Sequence, residues 1–397
     1  MLSVFPSYPD RTFHSCTQPR CVLTPTLVGD GNRLSQIDYM VWRDQVNVLN
    51  QTRIFKMNAK GPRLDSYLAQ LSRGTKRDFA PWGGYAQNYA ERRIPFEDAA
   101  YTPYWNSAAA DVLSIPTFAT DATGPFLAGS ALKGALRTGF VYAGMKPNAV
   151  KDLGERLTGE RLPRRPAENL EQAVTGNGGT DKLRVFGIAD APYGSREAFQ
   201  VYLLRVATLV SKGENRLALG WKQAGRGAVD GKRPEDSTPI FAEMAKPGTT
   251  FEGVWRENAF LNGDAVRASL RWGAPVSRAK LFEAANAYAA KQLEMHAQYA
   301  KWSMLEGLGA SVAELQGRLE AARGSGGCLL SVGWGAGFLS KSAGIGADEA
   351  EHRKVLAMLP FYQRAIQTGL PFPKTRKIVF LKNKPATVAG WVELTVE

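Results

Sequence analysis

From Gly124 to Arg137 the chain reads Gly-Pro-Phe-Leu-Ala-Gly-Ser-Ala-Leu-Lys-Gly-Ala-Leu-Arg, and this run dictates a strand, a turn and a helix in close succession. Leu132, Leu136 and Phe140 recur at helical spacing through residues 131–142, while residues 115–118 suit a strand. Gly129 and Ser130 open the helix. The first amides of a helix lack intrahelical acceptors and carry the positive end of its dipole, so this start suits a phosphate. Lys133 and Arg137 lie four residues apart on one flank, placed to follow successive phosphates. The same residues also fit an ordinary helix, capped by Ser130, with a solvated basic face.

A second glycine-bearing run, Ser331-Val332-Gly333-Trp334-Gly335-Ala336-Gly337-Phe338-Leu339-Ser340-Lys341-Ser342, lies near the other end. Gly333, Gly335 and Gly337 permit close backbone approach and positive φ, Trp334 and Phe338 offer stacking surfaces, and Lys341 offers a charge. These are the requirements of single-stranded RNA binding. A tight turn over buried aromatics satisfies the same residues. The run is neither a Walker loop nor a dinucleotide fingerprint, because the glycine-lysine-serine ending and the G-x-G-x-x-G spacing are missing. A third element, Gly29-Asp30-Gly31-Asn32-Arg33, reads either as a hairpin connection or as a further site at Gly29 and Arg33.

Charge favours the nucleic-acid reading. Among 397 residues, 50 Lys and Arg face 37 Asp and Glu, a formal net charge of +13, which suits a polyanionic partner. Three cysteines, Cys16, Cys21 and Cys328, supply neither a disulfide framework nor a zinc site, and reduced thiols are expected. The start lacks the features of a signal peptide, and the most apolar stretch, 198–210, is interrupted by Arg205 and is too short to cross a bilayer. No membrane association and a cytoplasmic location are therefore expected.

Short strands are expected at 21–24, 37–42 and 46–49, followed by a surface excursion over 72–104 rich in Gly, Pro, Arg and aromatics. Strands at 183–188, 199–210 and 250–254 precede a long helix with Leu281, Ala285, Tyr288, Met295, Tyr299 and Trp302 on one face. A glycine-rich stretch over 324–346, a helix over 347–368 and strands at 378–381 and 390–396 complete the chain. Strands and helices interleave twice. That order fits an α+β protein of two ferredoxin-like domains with inserted loops and helices, 1–200 and 201–397, better than a doubly wound sheet.

The residues Leu23-Thr24-Pro25-Thr26-Leu27-Val28-Gly29-Asp30-Gly31, Ala128 to Arg137, and Gly333-Trp334-Gly335-Ala336-Gly337-Phe338 together resemble the RAMP superfamily of CRISPR proteins, the middle motif most specifically. Within it, Leu34-Ser35-Gln36-Ile37-Asp38-Tyr39, Leu183 to Asp190 and Phe338-Leu339-Ser340-Lys341 look like the Csm subunit that caps the crRNA 3′ end in type III-A complexes. The resemblance spans most of the chain. It implies two ferredoxin-like, RRM-related domains and binding to the 3′ portion of crRNA. It also implies contact with the repeating backbone subunit and other Csm subunits, proximity to target RNA and to host trimming nucleases during crRNA maturation, and no cofactor. The glycine loop is shorter than the extended superfamily pattern, and the 73–104 excursion matches none of its motifs.

A catalytic role is not expected. Metal-free RNA cleavage calls for a placed general base, and none of His14, His296 and His352 sits in a glycine loop. The alternative is a metal-dependent RAMP endoribonuclease cleaving target RNA through Asp30. A basic scaffold that binds mainly protein is the third reading.

Overall fold

In the computed structural model, the structure describes residues 11–14, 22–59, 63–73, 88–108, 113–158, 162, 164–213, 216–225 and 229–396. Helices and strands interleave throughout. Two five-stranded antiparallel sheets organise the chain. The first runs in the order Cys328–Ser331, Trp391–Val396, Arg11–His14, Glu252–Glu257 and Phe186–Ile188, so an N-terminal strand lies between one from the far end of the chain and one from its middle.

The second sheet is built on the Phe199–Ser211 strand, which pairs with Ile240–Ala245 and Leu217–Trp221 along one edge and with Thr375–Leu381 along the other. Its near-continuous apolar sequence has a direct cause. Tyr202 and Leu204 enter one hydrophobic core, whereas Val201, Leu203, Ala207 and Leu209 enter a second, so both faces are covered. Both cores combine residues from before and after position 200.

The Arg278–Ser303 helix follows its expected face, with Leu281, Ala285, Tyr288 and Tyr299 buried. Trp302 departs from it and is exposed, because the helix ends one residue later and turns at Met304, φ +53°. Ser277 caps its start by accepting from the Lys280 amide at 3.3 Å. The Gly129–Gly144 helix crosses it where Gly139 faces Ala285, and a β-carbon on Gly139 would lie 2.8 Å from the Ala285 Cα. Leu132 and Leu136 are fully buried beside that crossing, each contributing about 1.5–3 kcal/mol.

Several expected elements differ. The strand expected at 21–24 is not seen over 22–24, Cys21 lying outside the described residues: the segment from Val22 to Leu27 threads between the sheets and makes isolated bridges to Val392, Ala245 and Trp334. Residues 183–188 are divided into a 3-10 turn, Lys182–Val185, and a short strand, because the Asp181 carboxylate caps the Leu183 amide at 2.8 Å. The 347–368 helix is two helices, Glu349–Met358 and Pro360–Gln367, broken at Leu359 before the proline. A further helix, Glu306–Ser325, packs Leu308, Val312, Leu315 and Leu319 into the second core.

The surface excursion is also corrected. Residues 74–87 lie outside the described residues, but Ala90–Pro95 is a strand and Tyr101–Ser107 a helix, with Ile94, Phe96 and Tyr101 buried. Two residues that suggested a surface loop have partners inside: Arg92 pairs with the fully buried Glu243, and the Tyr101 hydroxyl donates to the Phe380 carbonyl at 2.9 Å. Among the described residues, no helix is long and apolar enough to cross a membrane.

Candidate nucleic-acid interface

The three glycine-bearing segments meet in space. Gly333 lies against Leu27, and the Trp334 amide donates to the Leu27 carbonyl at 2.8 Å, joining the first loop to the last. Gly333 has φ +78°, and a β-carbon there would run into the Leu27 carbonyl oxygen, so only glycine permits this approach. Between the loops and the exposed face of the Gly129–Gly144 helix lies a groove of about 550 Å³, bordered by Gly29, Arg33, Gly134, Gly333, Trp334 and Lys341. Small side chains at Ala131, Gly134 and Ala135 keep the helix side of the groove low. Gly333→Ala is expected to lower stability by about 1–3 kcal/mol and to weaken any ligand held between the loops, measured by chemical denaturation and binding on the same preparation.

The charge at this groove is distinctive. Lys377, on the Thr375–Leu381 strand, lays its ammonium 3.9 Å from the centroid of the Trp334 ring. Burial depresses its pKa, and the like charges of Lys341 and Arg33 lower it further. Among the described residues, no carboxylate pairs with Arg33, Lys341 or Lys377. Lys377 over the Trp334 ring and Arg33 and Lys341 along the adjoining groove thus carry three like charges without a carboxylate partner among the described residues, an arrangement that an external polyanion would neutralise.

Lys377 was missing from the sequence reading. The available signal was the run Lys374-Thr375-Arg376-Lys377, in which strand alternation sends Arg376 inward and leaves Lys377 half-buried beside the groove. Its depressed pKa gives a signed prediction. A bound phosphate favours the ammonium, so affinity for a polyanion falls as pH rises through the depressed value, below the usual lysine range. A Lys377→Arg protein is expected to show a flatter alkaline limb in a titration of binding against pH.

The helix start behaves differently from its expectation. The Gly129 amide donates to the Asp190 carboxylate at 2.8 Å, so an internal anion already occupies the dipole end. A β-carbon on Gly129 would strike the Ile188 and Ala189 carbonyls, which assigns this glycine to helix-on-strand packing. Ser130 is exposed and makes no cap hydrogen bond. Lys133 donates to the Phe186 carbonyl at 2.7 Å, and burial lowers its pKa.

Arg137 pairs with Asp181 at 2.5 Å and donates to Thr175 Oγ1 at 3.0 Å. These two cations therefore tie the helix to the 174–186 segment. Arg137→Ala is expected to cost about 0.5–1 kcal/mol of stability while leaving the salt slope of RNA binding unchanged, which denaturation and a salt titration would check.

Phe338 is also drawn inward. Its ring packs edge-to-face on Phe372 and Tyr362, with centroid distances of 4.9 and 5.4 Å, and lies against His352. The Glu349–Met358 and Pro360–Gln367 helices thus hold the ring away from the groove, and it lines a neighbouring cavity instead. Gly335 and Gly337 keep positive φ, 91° and 83°, and Gly337 is exposed.

Asp30 is exposed and accepts from the Asn32 amide at 2.9 Å and from its side chain at 2.8 Å, an Asx turn that shapes the loop. Among the described residues, no group of three His, Cys, Asp or Glu side chains is placed to hold a metal. His296 is fully buried, and burial with Arg376 nearby holds its pKa well below the ordinary value; burial also lowers that of His352. The side chain of His14 and residues Cys16 and Cys21 lie outside the described residues, while Cys328 is buried with its thiol pKa pushed up by burial.

The fold is shared with solved structures of Csm proteins. It is similar to a chain in the cryo-EM structure of a Csm-crRNA-target RNA ternary complex of a type III-A CRISPR-Cas system, with TM-score 0.64 and 20% identity, covering 98% of this chain and 100% of that one. It is similar also to the crystal structure of T. onnurineus Csm5, with TM-score 0.62 and 17% identity over 97% of this chain and 100% of Csm5. No family model matches the chain, and no curated protein matches it by sequence.

Proposed function

We propose that this chain is a non-catalytic, single-stranded RNA-binding subunit of a type III-A Csm ribonucleoprotein. It holds the 3′ portion of crRNA and caps the filament of repeating backbone subunits in the cytoplasm. The observation that carries the reading is a groove between two glycine loops bordered by Arg33 and Lys341, with Lys377 over Trp334 in the wall of the adjoining cavity and no carboxylate partner for any of the three among the described residues. Unpaired cations and exposed loop backbone suit a phosphate chain. Similarity along the whole chain to Csm5 and to a chain of a Csm-crRNA-target RNA complex supplies the context.

In this reading the chain consists of two ferredoxin-like RAMP domains, 1–200 and 201–397, which share their hydrophobic cores and whose glycine loops meet at the groove. Lys133, Arg137 and Gly129 support the groove from behind, and the loops from Gly29 to Arg33 and from Gly333 to Lys341 face the strand. The other Csm subunits, target RNA and the nucleases that trim crRNA are its neighbours.

The test is co-expression with the other Csm subunits and a crRNA array, followed by purification through this chain and sequencing of the RNA recovered. Recovery of crRNA with the Csm subunits, and loss of only the end-proximal assembly on deleting the chain, are expected. Recovery of neither RNA nor subunits would defeat the proposal, and metal-dependent cleavage abolished by Asp30→Ala would replace it with the endoribonuclease reading.

A further inference from the structure

Behind Trp334 the groove adjoins a second, larger cavity of about 690 Å³, and the two share Thr138, Trp334 and Lys341 in their walls. Its volume falls within the range of about 300–1,000 Å³ common to small-molecule sites. Val141, Val150, Leu153 and Val355 make an apolar wall, and Phe338 and Tyr362 an aromatic end. None of these side chains borders the groove, whereas Lys377 lines the cavity.

Polar groups also line the cavity. Arg376, 8% exposed, lines it without any carboxylate partner. Its Nη1 donates to the carbonyls of Pro373 at 2.7 Å and Thr375 at 2.9 Å, its Nε to His296 Nδ1 at 3.3 Å, and its guanidinium carbon lies 4.5 Å from the centroid of the Tyr299 ring. Nη2 has no acceptor among the described residues. A guanidinium placed in this way, with a free donor beside an apolar wall, suits a flat ligand with acceptors on one edge.

We propose that this cavity takes a single nucleobase, splayed out of the RNA strand that lies in the groove. The inference rests on the RNA reading above and deepens it. The strand's phosphates stay with Arg33, Lys341 and Lys377 at the mouth, and one base turns inward past Trp334. There its faces meet the aliphatic wall and the Phe338–Tyr362 end, and its edge meets Arg376. Unstacked bases held against aromatic and apolar side chains and hydrogen-bonded on their edges are the general means by which single strands are read. A donor in the cavity wall selects an acceptor-rich edge such as guanine O6 and N7.

The experiment is an abasic scan with the full chain. A single-stranded RNA is first shortened to the least length that keeps full affinity, which fixes its register. Each base is then removed in turn, leaving the phosphate chain intact, and affinity is read by fluorescence anisotropy. One position is expected to lose roughly ten-fold in affinity while the others change little.

Val355→Trp, which fills the cavity, is expected to bind the intact RNA only as well as the wild type binds the sensitive abasic RNA. That abasic RNA should bind both proteins equally, and so reports that the variant is folded. Tight binding with no position-specific loss would overturn the cavity assignment and leave the groove standing. Failure of every RNA to bind, to the chain alone or within the Csm assembly, would overturn both.

Discussion

Replacing Arg33, Lys341 and Lys377 together with alanine is expected to weaken single-stranded RNA binding by about 100-fold at low salt and to flatten its salt dependence by about two units of slope. Each phosphate contact on a single strand contributes roughly 0.7 to that slope through counterion release. Lys377 lies 3.9 Å from the Trp334 centroid, and its pKa is lowered by burial and then by the charges of Lys341 and Arg33, so the three cations act as one electrostatic unit. An external anion relieves their mutual repulsion, and in the triple variant the removal of that repulsion offsets the lost Lys377–Trp334 contact, so the variant should fold. A salt titration by anisotropy separates this result from general damage: a misfolded protein loses affinity without a defined slope, whereas the predicted variant keeps a shallower one.

The second large effect concerns stability. Glu243 is fully buried on the Ile240–Ala245 strand, where it pairs with Arg92 and accepts from the Phe118 amide at 3.4 Å. Removing one partner of a buried pair leaves the other charge uncompensated, at a cost of about 3–5 kcal/mol. Glu243→Gln is therefore expected to lower the denaturation midpoint more than any single exposed ion-pair variant, while Arg92→Ala and Glu243→Gln combined should cost less than the sum of the two. Chemical denaturation followed by far-UV circular dichroism checks both, and additive costs would show that the two residues do not act as a pair.

The extent to which this could be read from sequence varied with the range of the interaction concerned. Local periodicity located the Gly129–Gly144 and Arg278–Ser303 helices and the Phe199–Ser211 strand, because each writes its own buried face into consecutive residues. Glycine spacing likewise marked the two loops that meet at Leu27 and Trp334. Lys133 and Arg137 have the right charge and spacing for phosphates, yet the Phe186 carbonyl and Asp181, about fifty residues away, engage them. No local pattern reveals such partners.

Asp190 capping Gly129 and Phe372 packing on Phe338 are further long-range contacts of this kind. Lys377 was missed for the converse reason: one lysine on a central strand acquires significance only when Trp334, Lys341 and Arg33 arrive beside it. The 90–107 segment was misread because its arginines and aromatics look like surface residues until Glu243 and the Phe380 carbonyl are placed opposite them.

Ultraviolet cross-linking of bound single-stranded RNA to the protein, with the attached peptides identified by mass spectrometry, tests the central claim most directly. Cross-links are expected in the Gly29–Arg33 loop, the Gly333–Lys341 loop and the peptide containing Lys377, all of which border or adjoin the groove. Cross-links confined to other surfaces, with these three peptides unmodified, would contradict it.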